Sequence, residues 1–210
     1  MSSFTWLWVL GSVVLWFALR PFSRLLAATL FGGAVGAAAL AKQPDTIHLE
    51  PASPDAWRDA ENARRTSDAL SALGFVESGT FRIPELPGVT LKLLAHAGES
   101  MYAAVYEHPV AGAWFELFMR YQDGTSATFS TLRPTGLNDR PGHPIVNVVG
   151  ADPRSLFEQA KRGRTQGALA QARPADAVHT FENGYAESMA WRKARGISRG
   201  EVIKVAKRAA

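Results

Sequence analysis

The 210 residues contain no cysteine. That absence excludes a disulfide framework, a thiol nucleophile, thiolate-held iron–sulfur clusters and every zinc site with a sulfur ligand. No Asp, Glu, Lys or Arg occurs between Met1 and Leu19. No phosphate loop or dinucleotide fingerprint follows any predicted strand, which argues against nucleotide chemistry. Ser78, Ser100 and Ser126 lack the flanking glycines of a nucleophile elbow. The five histidines, His48, His96, His108, His143 and His179, never fall at the helical spacing of a metal pair. No repeat of solenoid period is present, and neither metal nor cofactor is expected. A net charge of +4 is too small to make the whole chain a nucleic-acid binder.

What is present begins with two apolar runs. Met1 to Leu19 is uncharged and falls in the range of about 17 to 25 residues that spans a bilayer, which predicts a transmembrane helix over 4–19. Trp6, Trp8 and Trp16 suit the two membrane interfaces. Arg20, Pro21 and Arg24 then form a basic break, and a second uncharged run over 25–41 predicts another short span. Gly32, Gly33 and Gly36 place small residues where two helix backbones can approach, with the preceding run as the expected partner. Two alternatives stand beside this hairpin. Ala39-Leu40-Ala41 resembles a signal-cleavage site, and the second run also suits a re-entrant segment. Basic short loops stay cytoplasmic, so the Arg20–Arg24 loop places the remainder of the chain outside, which is periplasmic in a bacterium.

Residues 42–54, with Pro44, Pro51 and Pro54, read as an extended linker. Ser53-Pro54-Asp55 marks a helix start, with apolar positions recurring to Leu73 and a stop at Gly74. The period then changes from about 3.6 to 2. Strands are predicted over 75–83, 89–96, 101–108, 113–121 and 126–131, with Asp123-Gly124 as the best hairpin turn. A short strand over 145–149 is a further candidate. Helices follow from Asp152-Pro153 to about Arg162, along the stripe Val178, Phe181, Tyr185 and Met189 to Gly196, and after the capping box Ser198 to Glu201.

The expected fold class is therefore α+β: a transmembrane helical hairpin over 1–41, the linker, and a soluble domain over 55–210 in which an antiparallel meander of five or six strands packs with flanking helices. Residues 151–210 hold twelve basic and six acidic side chains, so the basic charge belongs to the last helices. That basic face can be solvated, touch anionic lipid, bind an acidic protein or bind nucleic acid; the solvated reading outweighs each of the others.

The segment from Leu132 to Gly150 is too rich in proline and glycine for a regular element, and long loops in compact domains are often functional. Glu107 and His108 at a strand end, with Asp139, Arg140 and His143 in the loop, form a metal or proton-transfer group only if the loop folds over the sheet. A loop pinned by an arginine–carboxylate pair is the plainer reading. Trp114, Glu116, Phe118 and Arg120 share one strand face, with Lys92 or Glu107 as candidate cross-strand partners. With Tyr102 or Tyr106, the aromatic residues form either a binding surface or, more simply, the layer beneath a helix. The expected function is a membrane-anchored, non-catalytic accessory module that presents a sheet face or loop to a partner protein or apolar ligand, through Glu107, His108, Trp114, Arg133, Asp139, Arg140 and His143. An enzyme whose site is assembled by the 132–150 loop is the first alternative. A cytoplasm-facing basic domain that binds anionic lipid or nucleic acid is the second, although nucleic acid is the less favoured partner.

Overall fold

The period-two runs pair into a seven-stranded sheet whose strand order follows the chain. Its strands are β1 (Glu50–Pro51), β2 (Val76–Arg82), β3 (Thr90–His96), β4 (Met101–His108), β5 (Gly112–Arg120), β6 (Ser126–Ser130) and β7 (Ile145–Asn147). The computed structural model describes residue 34 and residues 36–208. The apolar run 4–19, most of the run 25–41, and Gly32 and Gly33 lie outside the described residues. Among the described residues, no helix is long and apolar enough to cross a membrane.

From β1 to β6 every pair is antiparallel, as short connections dictate. β7 departs from the expected meander and runs parallel to β6. The fourteen residues between them are long enough to carry the chain back to the end where β6 began. The linker expectation also changes, because β1 pairs with Arg82 and Phe81 while Ile47 and Leu49 are buried. The β5–β6 turn forms at Asp123-Gly124: Gly124 has φ +85°, and Asp123 Oδ1 accepts from the Thr125 amide at 2.9 Å.

Residues 36–41 are helical, and four helices follow them: α1 (Ala60–Ala72), α2 (Pro153–Arg162), α3 (Ala177–Arg195) and α4 (Arg199–Arg208). The Ser53 cap serves only a 3-10 turn at Pro54–Ala56; extended backbone at Trp57 separates it from α1, which Asp59 caps. Asp152 caps α2, with Pro153 in its first turn.

These residues form two compact units. The first comprises Pro44–Pro134 and Asp139–Trp191. There the sheet is buried on both faces, because successive side chains alternate and each face has its own cover. One face packs Leu94, Met101, Val105, Phe115, Leu117 and Phe129 against Leu70 of α1 and Leu156 and Phe157 of α2. The other packs Leu91, Leu93, Tyr102 and Tyr106 with Ile47 and Leu49, covered by Ala177, Val178 and Phe181 of α3. On β3, Leu94 is fully buried while Lys92 and His96 on the same face are half-buried. The second unit gathers the described residues up to Gln43, Thr135–Asn138 and the chain from Arg192 onward.

Candidate functional site

A cleft of about 260 Å³ opens beside the start of α1 and the β4–β5 hairpin, with Trp57, Asn62, Thr66, Glu107, Trp114 and Thr131 among its walls. Its polar groups are already engaged. Glu107, buried at the end of β4, accepts from the amides of Arg58 at 2.6 Å and Asp59 at 3.0 Å. It ties the entry of α1 to the sheet by satisfying donors that precede the helix. Thr131 Oγ1 accepts from the Phe115 amide and donates to the Phe115 carbonyl, both at 3.0 Å. His108 Nδ1 accepts from the amides of Val110 and Ala111, closing the β4–β5 turn, and its ring lies 6.4 Å from that of Trp114.

The loop residues lie elsewhere. His108 pairs with Gly112 and Ser126 with Arg120, so the two groups sit eight residues apart along β5, about 26 Å at 3.3 Å per residue. The structure thus separates Glu107 and His108 from Asp139, Arg140 and His143. Asp139 Oδ2 accepts from the Ile145 amide at 3.0 Å, and Ser126 Oγ and His143 Nδ1 are bonded at 2.8 Å. Arg140 donates to Glu187 Oε2 at 3.1 Å, and Arg120 donates to both oxygens of that carboxylate at 3.0 Å. Burial would raise the Glu187 carboxyl, but its bonds from Arg140 and Arg120 hold it below its ordinary value. His143 is held below its ordinary value by burial first and then by Arg140 and Arg120, which favours a neutral imidazole at pH 7. Arg133 is exposed and has no bonded partner among the described residues.

On the opposite face from the cleft floor, Tyr106 stacks on Trp114 with centroids 4.5 Å apart, and Tyr102 stacks on Phe118 at 5.3 Å. Phe181 of α3 lies 6.1 Å from Tyr106 and 6.4 Å from Phe118, so these rings are the layer beneath a helix. Glu116 and Arg120 find other partners than Lys92 and Glu107. Tyr106 donates to Glu116 Oε1 at 2.5 Å, Arg120 meets Glu187, and Lys92 pairs with Glu77 at 3.0 Å. Desolvation raises the Glu116 carboxyl above its ordinary value despite the bonds from Tyr106 and Ser130.

Sequence reasoning missed Glu187, the residue that gathers two arginines. It lies on a polar stretch of α3 with no motif around it, so only the three-dimensional pairing could reveal it. Among the described residues, no three metal-ligating side chains converge. Comparison with protein-family models, curated proteins and solved structures finds no match.

Proposed function

We propose that this chain is a membrane-anchored, non-catalytic accessory module whose sheet presents β7 and its loop to a partner protein. One observation carries the proposal: the two edges of the sheet are finished differently. β1 is two residues long, ends in Pro51, and carries the Arg82–Glu50 ion pair at 2.7 Å. Short strands, prolines and charges are the usual defences of an edge. β7 is also short, at three residues, and follows Pro144, but it carries no charged side chain. Ile145, Val146 and nearby Val149 are 46%, 41% and 55% exposed, and an open apolar edge strand is a template for an added strand. Asp139, Arg140 and His143 hold this segment in place through Ile145, Glu187 and Ser126. That rigidity lowers the ordering cost of docking.

The anchor is the uncharged pair of runs at 4–19 and 25–41, with the Arg20–Arg24 loop cytoplasmic and the sheet domain on the far side. The catalytic alternative has less support, because each titratable group proposed for it is already engaged by a backbone donor, an ion pair or, for His143, the Ser126 hydroxyl. A photo-crosslinking residue at Val149 in membranes bearing the full chain, compared with one at Val110 on the opposite hairpin tip, tests the reading. A discrete adduct from 149 alone, lost in Val146→Asp, is expected. Equal yields at both positions, or an adduct indifferent to Val146→Asp, would overturn it. Reporter fusions after Ala210 check the orientation and should be active only outside the cytoplasm.

A further inference from the structure

The cations of the last helix play no part in that docking edge. In the unit that contains α4, Gly36 stands at a close approach: a Cβ there would lie 3.0 Å from Ile197 Cβ and 3.3 Å from Val202 Cγ2. Gly36 and Leu40, one helical turn apart, are buried, whereas Ala37, Ala38 and Ala39 between them are exposed. The end of the second apolar run therefore holds the last helix on one side and offers small apolar side chains on the other.

α4 is itself two-sided. At about 100° per residue, Lys204 and Lys207 lie about 60° apart and both more than about 130° from Val202, the residue that meets Gly36. Arg199, Lys204 and Lys207 are exposed and make no ion pair among the described residues. The one acid of α4, Glu201, is turned inward to Arg195, to the Ser198 amide and hydroxyl, and to the Asn138 amide. The unneutralised charge thus faces outward. Gly36 and the first cation after the run, Lys42, are separated by about 9 Å of helical rise. A helix seated against Gly36 therefore lies within about 9 Å of the boundary that Lys42 marks.

We infer that the face of α4 bearing Lys204 and Lys207 binds the anionic headgroups of the bilayer that anchors residues 25–41. The inference rests on the membrane-anchor reading. Continuity with an apolar run favours a lipid surface over nucleic acid, which would need no such run. Because the chain has no cysteine, Val205→Cys introduces a single labelling site on α4. The full-length protein carrying a fluorophore there is reconstituted with vesicles of phosphatidylcholine alone, or with about 30% phosphatidylglycerol, a content chosen to raise surface charge.

Acrylamide quenching should fall on the anionic vesicles only. That protection should weaken about fivefold for each cation removed, in Lys204→Gln and then Lys204→Gln with Lys207→Gln. It should also vanish at high salt, where the Debye length is about 3 Å. Equal quenching on both vesicles, protection indifferent to the two substitutions, or protection by an added oligonucleotide but not by anionic lipid overturns the inference. Flotation separates it from the anchor. Protein that floats with both vesicles but shows equal quenching keeps the anchor and loses the headgroup site. Protein that floats only with anionic vesicles and shows the lysine dependence keeps the site and loses the anchor. Flotation with neither overturns both.

Discussion

Arg140 Nη1 lies 3.1 Å from Glu187 Oε2, so a guanidinium in the loop before β7 is fastened to a helix 47 residues further along the chain. Arg120 of β5 shares the same carboxylate. One acid therefore secures both the strand and the loop, and its removal leaves two half-buried cations without their counter-charge.

Glu187→Gln should loosen the loop more than it lowers global stability. The partners are partly exposed, with side-chain exposures of 28% and 39% for Arg140 and Glu187, so the stability loss should be about 0.5–1 kcal/mol. Amide exchange over 139–147 should accelerate. The depressed Glu187 carboxyl sets the pH dependence: its contribution is complete above the ordinary value of 4.5 and is lost as pH falls through the lower folded value. Wild-type exchange in the loop should rise below that point, whereas Glu187→Gln should show little further change.

Glu107→Ala should cost about 2 kcal/mol, because it removes the charged acceptor that the Arg58 and Asp59 amides share at the entry of α1. Urea unfolding of the detergent-solubilised chain should show a lower midpoint with an unchanged slope. Glu107→Gln, which keeps one acceptor oxygen, should recover part of the loss. A wild-type midpoint in Glu107→Ala would refute the capping role.

Glu201 is 1% exposed. Burial alone would raise its carboxyl, but the Asn138 and Ser198 amides, Arg195 and the Ser198 hydroxyl bring it down to about 2. The contribution is complete above 4.5 and disappears as pH falls toward about 2. A displacement of this size corresponds to about 3 kcal/mol. Hydrogen exchange at Asn138 and Ser198 should show protection lost across that window in the wild type, and lost already at neutral pH in Glu201→Ala.

Gly163 ends α2 against the core, where an added Cβ would lie 2.5 Å from Phe129 Cζ and 3.2 Å from the Gln159 carbonyl. Phe129 is buried and cannot swing into solvent. Gly163→Ala should therefore lose about 2 kcal/mol through overpacking, a fall of about 4–8 °C in Tm for a unit of this size. Phe129→Leu in the same background should restore part of it.

Much of the architecture was legible locally. Met101–His108 is a strand with the expected bounds, Asp123-Gly124 is a turn, and Ser198 and Glu201 close the capping box in both directions, through Glu201 N to Ser198 Oγ at 3.3 Å and Ser198 N to Glu201 Oε2 at 2.9 Å. Each depends on neighbours within a few residues. The candidate site was much less legible. Glu107, His108, Asp139 and His143 carry reactive side chains at suggestive places, yet the register of β4 to β6 sends them to opposite ends of the sheet. The direction of β7 was hidden for a related reason: a loop without periodicity gives no indication of which way it returns.

The order of amino acids alone determined the alternation of the strands, the caps of the helices, the concentration of positive charge near the carboxyl end and the uncharged beginning, because each is set by local sterics, hydrogen bonding or composition. Only the tertiary structure decided that the sheet is covered on both faces, that Glu187 gathers Arg120 and Arg140, that Gly36 receives Ile197 and that β7 lies at an edge, parallel to β6. Those outcomes depend on which distant surfaces are brought together when two hydrophobic faces are buried at once. Pairings across dozens of residues follow from that packing and leave no periodic trace in the chain.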